Sequence, residues 1–337
     1  MTTAPSVGHL APGVAANESV GARIRDVVGW DWRDRRRILQ LGLGLIWLID
    51  AALQFQSFMF SRAFPAQIMA PTATGVPGVL GESITGMAHF LEPHIAAWNT
   101  LFALTQLAIA LGIFWKRSVG WALAGSVMWA FGVWWFGEGF GGLFTSASPT
   151  MGFPGAVLLY ALIAILIFPV PAARDGIRDQ GPVRSVAERS PIGMAAARLL
   201  WAALWVGFAV YQLLPSNRGA DSLSGMVSGM GSGEPGWISS LDTRMAQMYA
   251  GHGALISLLF AVACVVIGLS VFARWDIAGI LVLAMLVGVW IWLAEDFGGI
   301  LTGSGTDVNS GPLIVLLALT YWRPRQRTHS GERTHSA

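Results

Sequence analysis

Long apolar runs separated by short polar segments dominate this chain. Stretches such as 38–60 and 253–271 carry almost no charge, and about 20 apolar residues in a helix are enough to cross a bilayer. The pattern predicts an all-α polytopic membrane protein with about eight transmembrane helices, at residues 38–60, 94–115, 118–136, 154–170, 195–214, 250–273, 276–294 and 311–322.

The pattern also repeats within the chain. A shift of 158 residues superposes polar positions of the first half on the second, and one residue is then lost, so that a shift of 157 applies further on. The matched pairs include Trp47 and Trp205, Gln54 and Gln212, His94 and His252, and then Trp135 and Trp292, and Glu138 and Glu295. Agreement at Gln, His and Glu indicates a duplicated polar site in an apolar scaffold. Each copy has four spans, an even number, which predicts two parallel four-helix repeats.

The repeat divides the chain into five segments. We expect a cytoplasmic N-terminal segment at 1–37, a first membrane repeat at 38–170, a charged cytoplasmic linker at 171–194, a second membrane repeat at 195–323 and a cytoplasmic tail at 324–337. Each repeat has one long outer loop, and the second of these loops predicts an amphipathic helix near 237–249.

Composition and charge place the chain in the membrane. Hydrophobic residues make up 54% of it and charged residues 12%, against about 25% charged residues in soluble proteins. Of the 21 Lys and Arg residues, all but Arg62, Arg218 and Arg244 fall in the N-terminus, inner loops and tail. The positive-inside rule then predicts a plasma (inner) membrane location with both termini cytoplasmic. The basic charge is therefore explained by topology and lipid headgroups, without nucleic acid. The single cysteine, Cys264, excludes an intramolecular disulfide or a Cys-x-x-Cys pair.

The candidate site lies at the predicted outer boundary. In each repeat three separate segments deliver an amide, an imidazole and a carboxylate there, namely Gln54, His94 and Glu138, and then Gln212, His252 and Glu295. Asp50 has no counterpart, because Phe208 occupies the matching position. A carboxyl group inside a span is costly, which makes Asp50 a catalytic candidate with Gln54, His94 and Glu138. The alternative is that these are interfacial helix ends, where polar groups are inexpensive.

The two Glu residues begin a shared motif, Glu-x-Phe-Gly-Gly-apolar-apolar-Thr, at 138–145 and 295–302. Paired glycines supply positive φ and close backbone approach, so Gly141, Gly142, Gly298 and Gly299 are candidate ligand-binding residues. The spans that follow are short, and short spans at matching positions of two repeats indicate a binding site. A purely architectural Gly-Gly turn is the alternative.

The first helix of each repeat, at 37–54 and 198–212, resembles the first helix of DoxX/DoxD-like membrane proteins. The whole chain is also similar in layout to tandem-repeat membrane proteins of actinobacteria. The resemblance implies four-helix units, some of which are linked to quinone-coupled sulfur oxidation. Where such relatives use a Cys pair, this chain has none.

These observations predict a redox-associated protein that binds a quinone or similar lipophilic ligand at an outer-leaflet site. The expected partners of the protein are the lipid bilayer and a respiratory or redox membrane protein. Gln54, His94 and Glu138 would supply hydrogen bonds and proton transfer, and Asp50 a proton relay. Whether the chain is an enzyme is left open. The alternatives are a small-molecule or metal transporter with its site between the repeats, and a non-catalytic accessory subunit. A haem between two His residues, or copper held by His and Met, would be further cofactors, although neither has a recognised spacing here.

Overall fold

A computed structural model describes residues 26–29, 31–170, 184–230, 235–273 and 277–323. These residues form helices and turns, with no strand among them. The larger α-helices are α1 (Arg35–Leu53), α2 (Gly78–Leu91), α3 (Ile95–Phe114), α4 (Val119–Phe136), α5 (Ala156–Leu166), α6 (Gly193–Gln212), α7 (Ser222–Met230), α8 (Gly236–Tyr249), α9 (Gly253–Ser270), α10 (Ala278–Ala294) and α11 (Ser310–Tyr321). The predicted tail at 324–337 and most of the N-terminal segment and linker lie outside the described residues.

Several of these helices suit a bilayer. Four helical stretches of the described chain are long and apolar enough to cross a membrane: Gly78–Phe114, Val119–Phe136, Gly193–Gln212 and Gly253–Ser270. The prediction of an all-helical membrane protein is confirmed at this level. Helices α5, α10 and α11 are apolar but shorter, and at 1.5 Å per residue α5 spans only about 17 Å.

The helices pack as two four-helix groups. In the first unit, 31–170, α1 packs on α3, α3 on α4 and α4 on α5. In the second unit, 184–323, α6 packs on α9, α9 on α10 and α10 on α11. Helices α5 and α11 contact each other and join the units. Large buried rings fill the interior, among them Trp47, Tyr160, Trp201, Trp205 and Phe208.

Arginine side chains cap the carboxyl ends of helices at one end of the molecule, which we call the arginine end. Arg37 donates to the carbonyls of Ile113 (2.9 Å) and Phe114 (2.6 Å) at the end of α3. Arg36 donates to the carbonyl of Phe168 (2.6 Å), just beyond α5. A positive charge at a helix carboxyl end is favourable, because the carbonyls there lack partners within the helix.

At the same end, Glu188 links the first and last helices of the second unit. Its Oε1 accepts hydrogen bonds from Arg198 of α6 (2.6 Å) and from Arg323 beyond α11 (2.7 Å), and the backbone N–H of Ser185 donates to Oε2 (3.1 Å). The first and last helices of the unit are therefore clamped by one buried carboxylate.

At the opposite end, which we call the loop end, a loop of each unit lies on the other unit. Segment 303–309, the crossover loop of the second unit, lies over α1 of the first. There Gln56 Nε2 donates to the Gly305 carbonyl (2.8 Å) and the Val308 N–H donates to Asp50 Oδ1 (3.3 Å). In return, loop 143–154 of the first unit lies on α6, where Phe153 stacks on Tyr211 with ring centroids 3.7 Å apart.

Candidate functional site

A cavity of about 270 Å³ lies at the loop end of the first unit. Helices α1, α3 and α4 form its sides, and the crossover loop contributes Thr306 and Asp307. Most of its wall is apolar, being formed by Trp47, Phe64, Ile68, Met69, Met87, Leu91, Phe102, Met128, Trp129, Val133, Phe136 and Val157. The polar side chains that reach it are Asp50, Gln54, Gln106, Glu138, Thr306 and Asp307.

Asp50 lies in the wall on the same helix face as Trp47 and Gln54. It is buried, with 2% of its surface exposed. The hydroxyl of Tyr160 in α5 donates to Oδ2, and the Val308 N–H donates to Oδ1. The Tyr160 ring also packs against Trp47, with ring centroids 4.5 Å apart. The carboxyl group is thus held by two donors that come from different units.

Glu138 reaches the cavity because the chain reverses directly after α4. Phe140 (φ 64°) and Gly141 (φ 58°) both adopt left-handed conformations, which glycine tolerates best. The turn carries the Glu138 side chain to the first turn of α5, where Oε1 accepts from the Val157 N–H (3.2 Å). Glu138 is therefore an N-terminal capping group, favoured by the unpaired amides and the positive end of that helix.

The second motif has the same geometry. Phe297 (φ 57°) and Gly298 (φ 74°) reverse the chain after α10, and Ser310 donates to Glu295 Oε1 (3.4 Å) at the start of α11. The ring of Phe297 contacts Trp292 edge-on at 5.1 Å, as that of Phe140 contacts Trp134 at 5.2 Å. In the structure Trp292 therefore corresponds to Trp134, although the sequence shift pairs it with Trp135. The reason is that Trp134 lies four residues before Glu138, whereas Trp292 lies three residues before Glu295.

Three acceptor atoms at the cavity wall have no hydrogen-bond partner. They are Gln54 Oε1, Gln106 Oε1 and Glu138 Oε2, and all three are inaccessible to bulk solvent. A buried polar atom without a partner costs about 1–3 kcal/mol. All three belong to residues that line one cavity, which is where a ligand or ordered water would have to supply the missing donor.

Asp307 is a further acidic group at the cavity, and it comes from the other unit. Its Oδ1 accepts from the Asn309 N–H (2.6 Å) and its Oδ2 from the Thr306 hydroxyl (2.9 Å). Burial raises the pKa of Asp307, although these two hydrogen bonds lower it. The site is thus acidic and supplied by both halves of the chain.

The cavity also reaches the side of the helix bundle. Met128 of α4 contributes to its wall although 77% of the residue is exposed. Gly132, one turn further, lines the cavity too, and a Cβ built on it would meet no atom within 4 Å. Residues 128 and 132 thus border an opening in the lateral surface of the bundle.

The predicted site residues do not all converge. Asp50, Gln54 and Glu138 share the cavity, whereas His94 and His252 are exposed and neither lines it. His252 Nδ1 is paired with the Ala250 carbonyl at 2.9 Å. Within the described ranges no group of three or more His, Cys, Asp or Glu side chains is arranged to hold a metal ion.

Among the described residues of the second unit, α6 does not repeat the polar set of α1. Phe208 stands at the position of Asp50, and its ring centroid lies 6.3 Å from that of Phe153, which the first unit supplies. Gln212 donates to Ser257 at 2.9 Å, and Glu295 does not line the cavity. Gly141, Gly142, Gly298 and Gly299 all have positive φ in the two turns, where they position Glu138 and Glu295.

Sequence reasoning missed Tyr160, Gln106 and Asp307. Tyr160 and Gln106 are isolated polar groups within apolar helices, which is a signal that the sequence did carry. Asp307 lies in a polar loop of the second unit and gave no such signal.

The chain matches no family model, no curated protein and no solved structure.

Proposed function

We propose that the protein is a multi-pass membrane protein whose first unit binds a lipophilic ring compound bearing hydroxyl groups, a hydroquinone or a close analogue. The observation that carries this proposal is the set of unpartnered acceptors, Gln54 Oε1, Gln106 Oε1 and Glu138 Oε2, on residues that line a mainly apolar cavity. A hydroquinone offers two hydroxyl donors on an apolar ring, which matches both features of the wall.

The size of the cavity supports a ring of this kind. A cavity of about 150 Å³ holds benzene, so about 270 Å³ accommodates a ring with several small substituents. Any longer tail would leave through the opening beside Met128 and Gly132. In the orientation proposed here, that opening faces lipid, so the ligand enters from the bilayer rather than from water.

The orientation follows from charge. Eight helices, α1, α3, α4, α5, α6, α9, α10 and α11, cross the bilayer in this proposal, as two parallel repeats with both termini cytoplasmic. The arginine end faces the cytoplasm of the cell and the loop end, with the cavity, faces outward. The two short helices α5 and α11 reach the outer surface through the turns that precede them.

Binding at one side fits the site better than transport across the membrane. At the arginine end, Arg36 and Arg37 cap helices, and Gln40 Nε2 donates to the Ile167 carbonyl (2.9 Å). These bonds tie the inner helix ends together.

In this proposal, Glu138 and Asp50 accept and pass the protons of the bound hydroquinone, and the electrons go to a redox partner in the membrane.

Two matched carboxylate variants test the proposal. Glu138→Gln and Glu295→Gln each alter a residue that caps a short helix, but only Glu138 lines the cavity. Binding of tetramethylhydroquinone to the purified protein is followed by quenching of tryptophan fluorescence, since Trp129 lies in the wall. We expect Glu138→Gln to weaken binding about 10-fold or more and Glu295→Gln to leave it unchanged.

Mass spectrometry of the lipophilic compounds extracted from the purified protein gives an independent measurement. Recovery of a quinone or hydroquinone from the wild type, but not from Glu138→Gln, supports the proposal. Wild-type protein that neither retains such a compound nor binds the probe contradicts it, and then the polar groups serve only to hold helices together.

A further inference from the structure

A polar groove lies in the second unit, and none of its lining residues belongs to the cavity described above. Helices α7 and α8 pack side by side at the loop end, and between them lies a groove of about 400 Å³. Its lining residues are Ser224, Ser228, Ser239, Asp242, Thr243, Ala246, Gln247 and Ala250.

Asp242 is the distinctive residue of this groove. Only 3% of it is exposed, yet neither Oδ1 nor Oδ2 has a hydrogen-bond partner. A buried carboxylate without partners is strongly unfavourable, and its removal should relieve that cost. Since the residues that the structure describes supply no partner, the geometry points to one from outside.

The first unit shows that the scaffold does not require a carboxylate here. Helix α2 has the same length as α8, 14 residues, and begins 158 residues earlier in the chain. The residue of α2 that corresponds to Asp242 is Ile84, which is fully buried in a cluster with Val76 and Phe140. An apolar residue therefore suits this position of the helix, and Asp242 has a different use.

The hydroxyl groups around Asp242 are suited to accept hydrogen bonds. Ser228 donates its own proton to the Gly225 carbonyl (3.1 Å), and Thr243 donates to the Ser239 carbonyl (2.8 Å). Their lone pairs remain available to the groove. Together with the carboxylate they form a site with one negative charge and several oxygen acceptors.

We propose that this groove binds a primary ammonium group, with Asp242 as its counter-ion. An ammonium group carries one positive charge and three donors and no acceptor, which complements the carboxylate and the hydroxyl oxygens. A divalent metal ion needs about six oxygen ligands, and the described residues offer no group of three acidic or His side chains for one. The volume also suits an organic amine better than a bare ion.

Two sources can supply such a group: a free amine in the outer compartment and the ethanolamine headgroup of a phospholipid. Calorimetric titration of the detergent-purified protein with ethanolamine tests the first. Thermal unfolding in nanodiscs of phosphatidylethanolamine and phosphatidylglycerol, compared with nanodiscs of phosphatidylglycerol alone, tests the second.

Asp242→Asn is the test variant and Asp221→Asn the control, because Asp221 is an exposed acid of the same region whose Oδ1 accepts from the Gly251 N–H (3.0 Å). We expect Asp242→Asn to weaken amine binding about 10- to 100-fold, and to abolish stabilisation by the amine-containing lipid. Asp221→Asn should retain both. Asp242→Ile, which copies Ile84, should fold at least as stably as the wild type and bind no amine.

Wild-type protein that responds to neither the free amine nor the lipid overturns the proposal, and so does equal binding by Asp242→Asn. A loss of folding in both Asp242→Asn and Asp242→Ile would show that the carboxylate is structural, and would overturn it too. None of these outcomes depends on hydroquinone binding in the first unit.

Discussion

Tyr160 donates its hydroxyl to Asp50 Oδ2 in the interior of the first unit, and its ring packs against Trp47 at 4.5 Å. The second unit contains a similar pair, in which Tyr321 packs against Trp201 at 4.5 Å but donates to the backbone carbonyl of Ala197. The two tyrosines are both buried and differ chiefly in their acceptor, which is a carboxyl group for Tyr160 and a backbone carbonyl for Tyr321.

This difference predicts unequal effects of removing the two hydroxyls. Tyr160→Phe leaves a buried carboxyl oxygen without its donor and should lower the free energy of unfolding by about 1–3 kcal/mol, whereas Tyr321→Phe should lower it by about 0.5–1.5 kcal/mol. Unfolding of the detergent-purified proteins provides the comparison. Asp50→Leu combined with Tyr160→Phe should recover part of the loss, and no recovery would argue against direct coupling of the pair.

A glycine series tests the turn that positions Glu138. Gly141 has φ 58° and a Cβ on it would overlap the Pro154 carbonyl, Gly152 has φ 90° with open space around it, and Gly86 has open space without a positive φ. Replacement by Ala should cost about 2–5 kcal/mol at Gly141 and about 1–2 kcal/mol at Gly152. At Gly86, in the interior of α2, it should stabilise the fold by about 0.4–1 kcal/mol. Thermal unfolding midpoints would show this order, and a tolerated Gly141→Ala would contradict the close backbone approach.

The sequence predicted the helices better than it predicted their contacts. Apolar runs located the eight helices α1, α3, α4, α5, α6, α9, α10 and α11, and the amphipathic pattern near 237–249 matches α8 at Gly236–Tyr249. Helices α2 and α7 lie in segments that the sequence predicted to be outer loops. The Gly-Gly motif indicated a chain reversal, and positive φ at Gly141 and Gly298 agrees with it. These features are local, and local patterns are what a sequence displays directly.

The site depends on features that are not local. His94 has the depth expected for the site, but it precedes the first turn of α3, where helical periodicity does not fix the direction of a side chain. Asp307 reaches the cavity only because the crossover loop of the second unit lies on the first. No periodicity in residues 303–309 records that contact, so the sequence placed Asp50 and Gln54 correctly on one helix face without showing what covers them.

Glu188 gives the arginine end a pH dependence. Burial alone would raise its pKa, but hydrogen bonds from Arg323, Arg198 and the Ser185 N–H lower it to about 2. A carboxyl group with a lowered pKa in the folded state stabilises the fold above its unfolded pKa of about 4.3. That stabilisation is lost as the pH falls from the unfolded pKa of about 4.3 to the folded pKa of about 2.

Unfolding measured across this pH range should show the loss in wild type and a smaller one in Glu188→Gln, which should also be less stable at pH 7. Glu82→Gln removes an exposed carboxylate of α2 and serves as the charge-matched control. Identical pH profiles for wild type and Glu188→Gln would mean that the clamp formed with Arg198 and Arg323 does not contribute to stability.

The lateral opening beside Met128 makes a kinetic prediction. Gly132 lines the cavity and has free space where a side chain would extend, so Gly132→Leu should obstruct the opening with little loss of stability. Gly279 in α10 also has no atom within 4 Å of a built Cβ and lies outside the cavity wall, so Gly279→Leu is the matched control. If the ligand enters through this opening, stopped-flow quenching by tetramethylhydroquinone should be slowed at least about 10-fold by Gly132→Leu and unchanged by Gly279→Leu. Equal rates in the two variants would place the entrance elsewhere, for example under the crossover loop. Gln56 and Gly305 hold that loop on α1 through their hydrogen bond. If the ligand enters there, a disulfide between cysteines placed at positions 56 and 305 should slow binding instead.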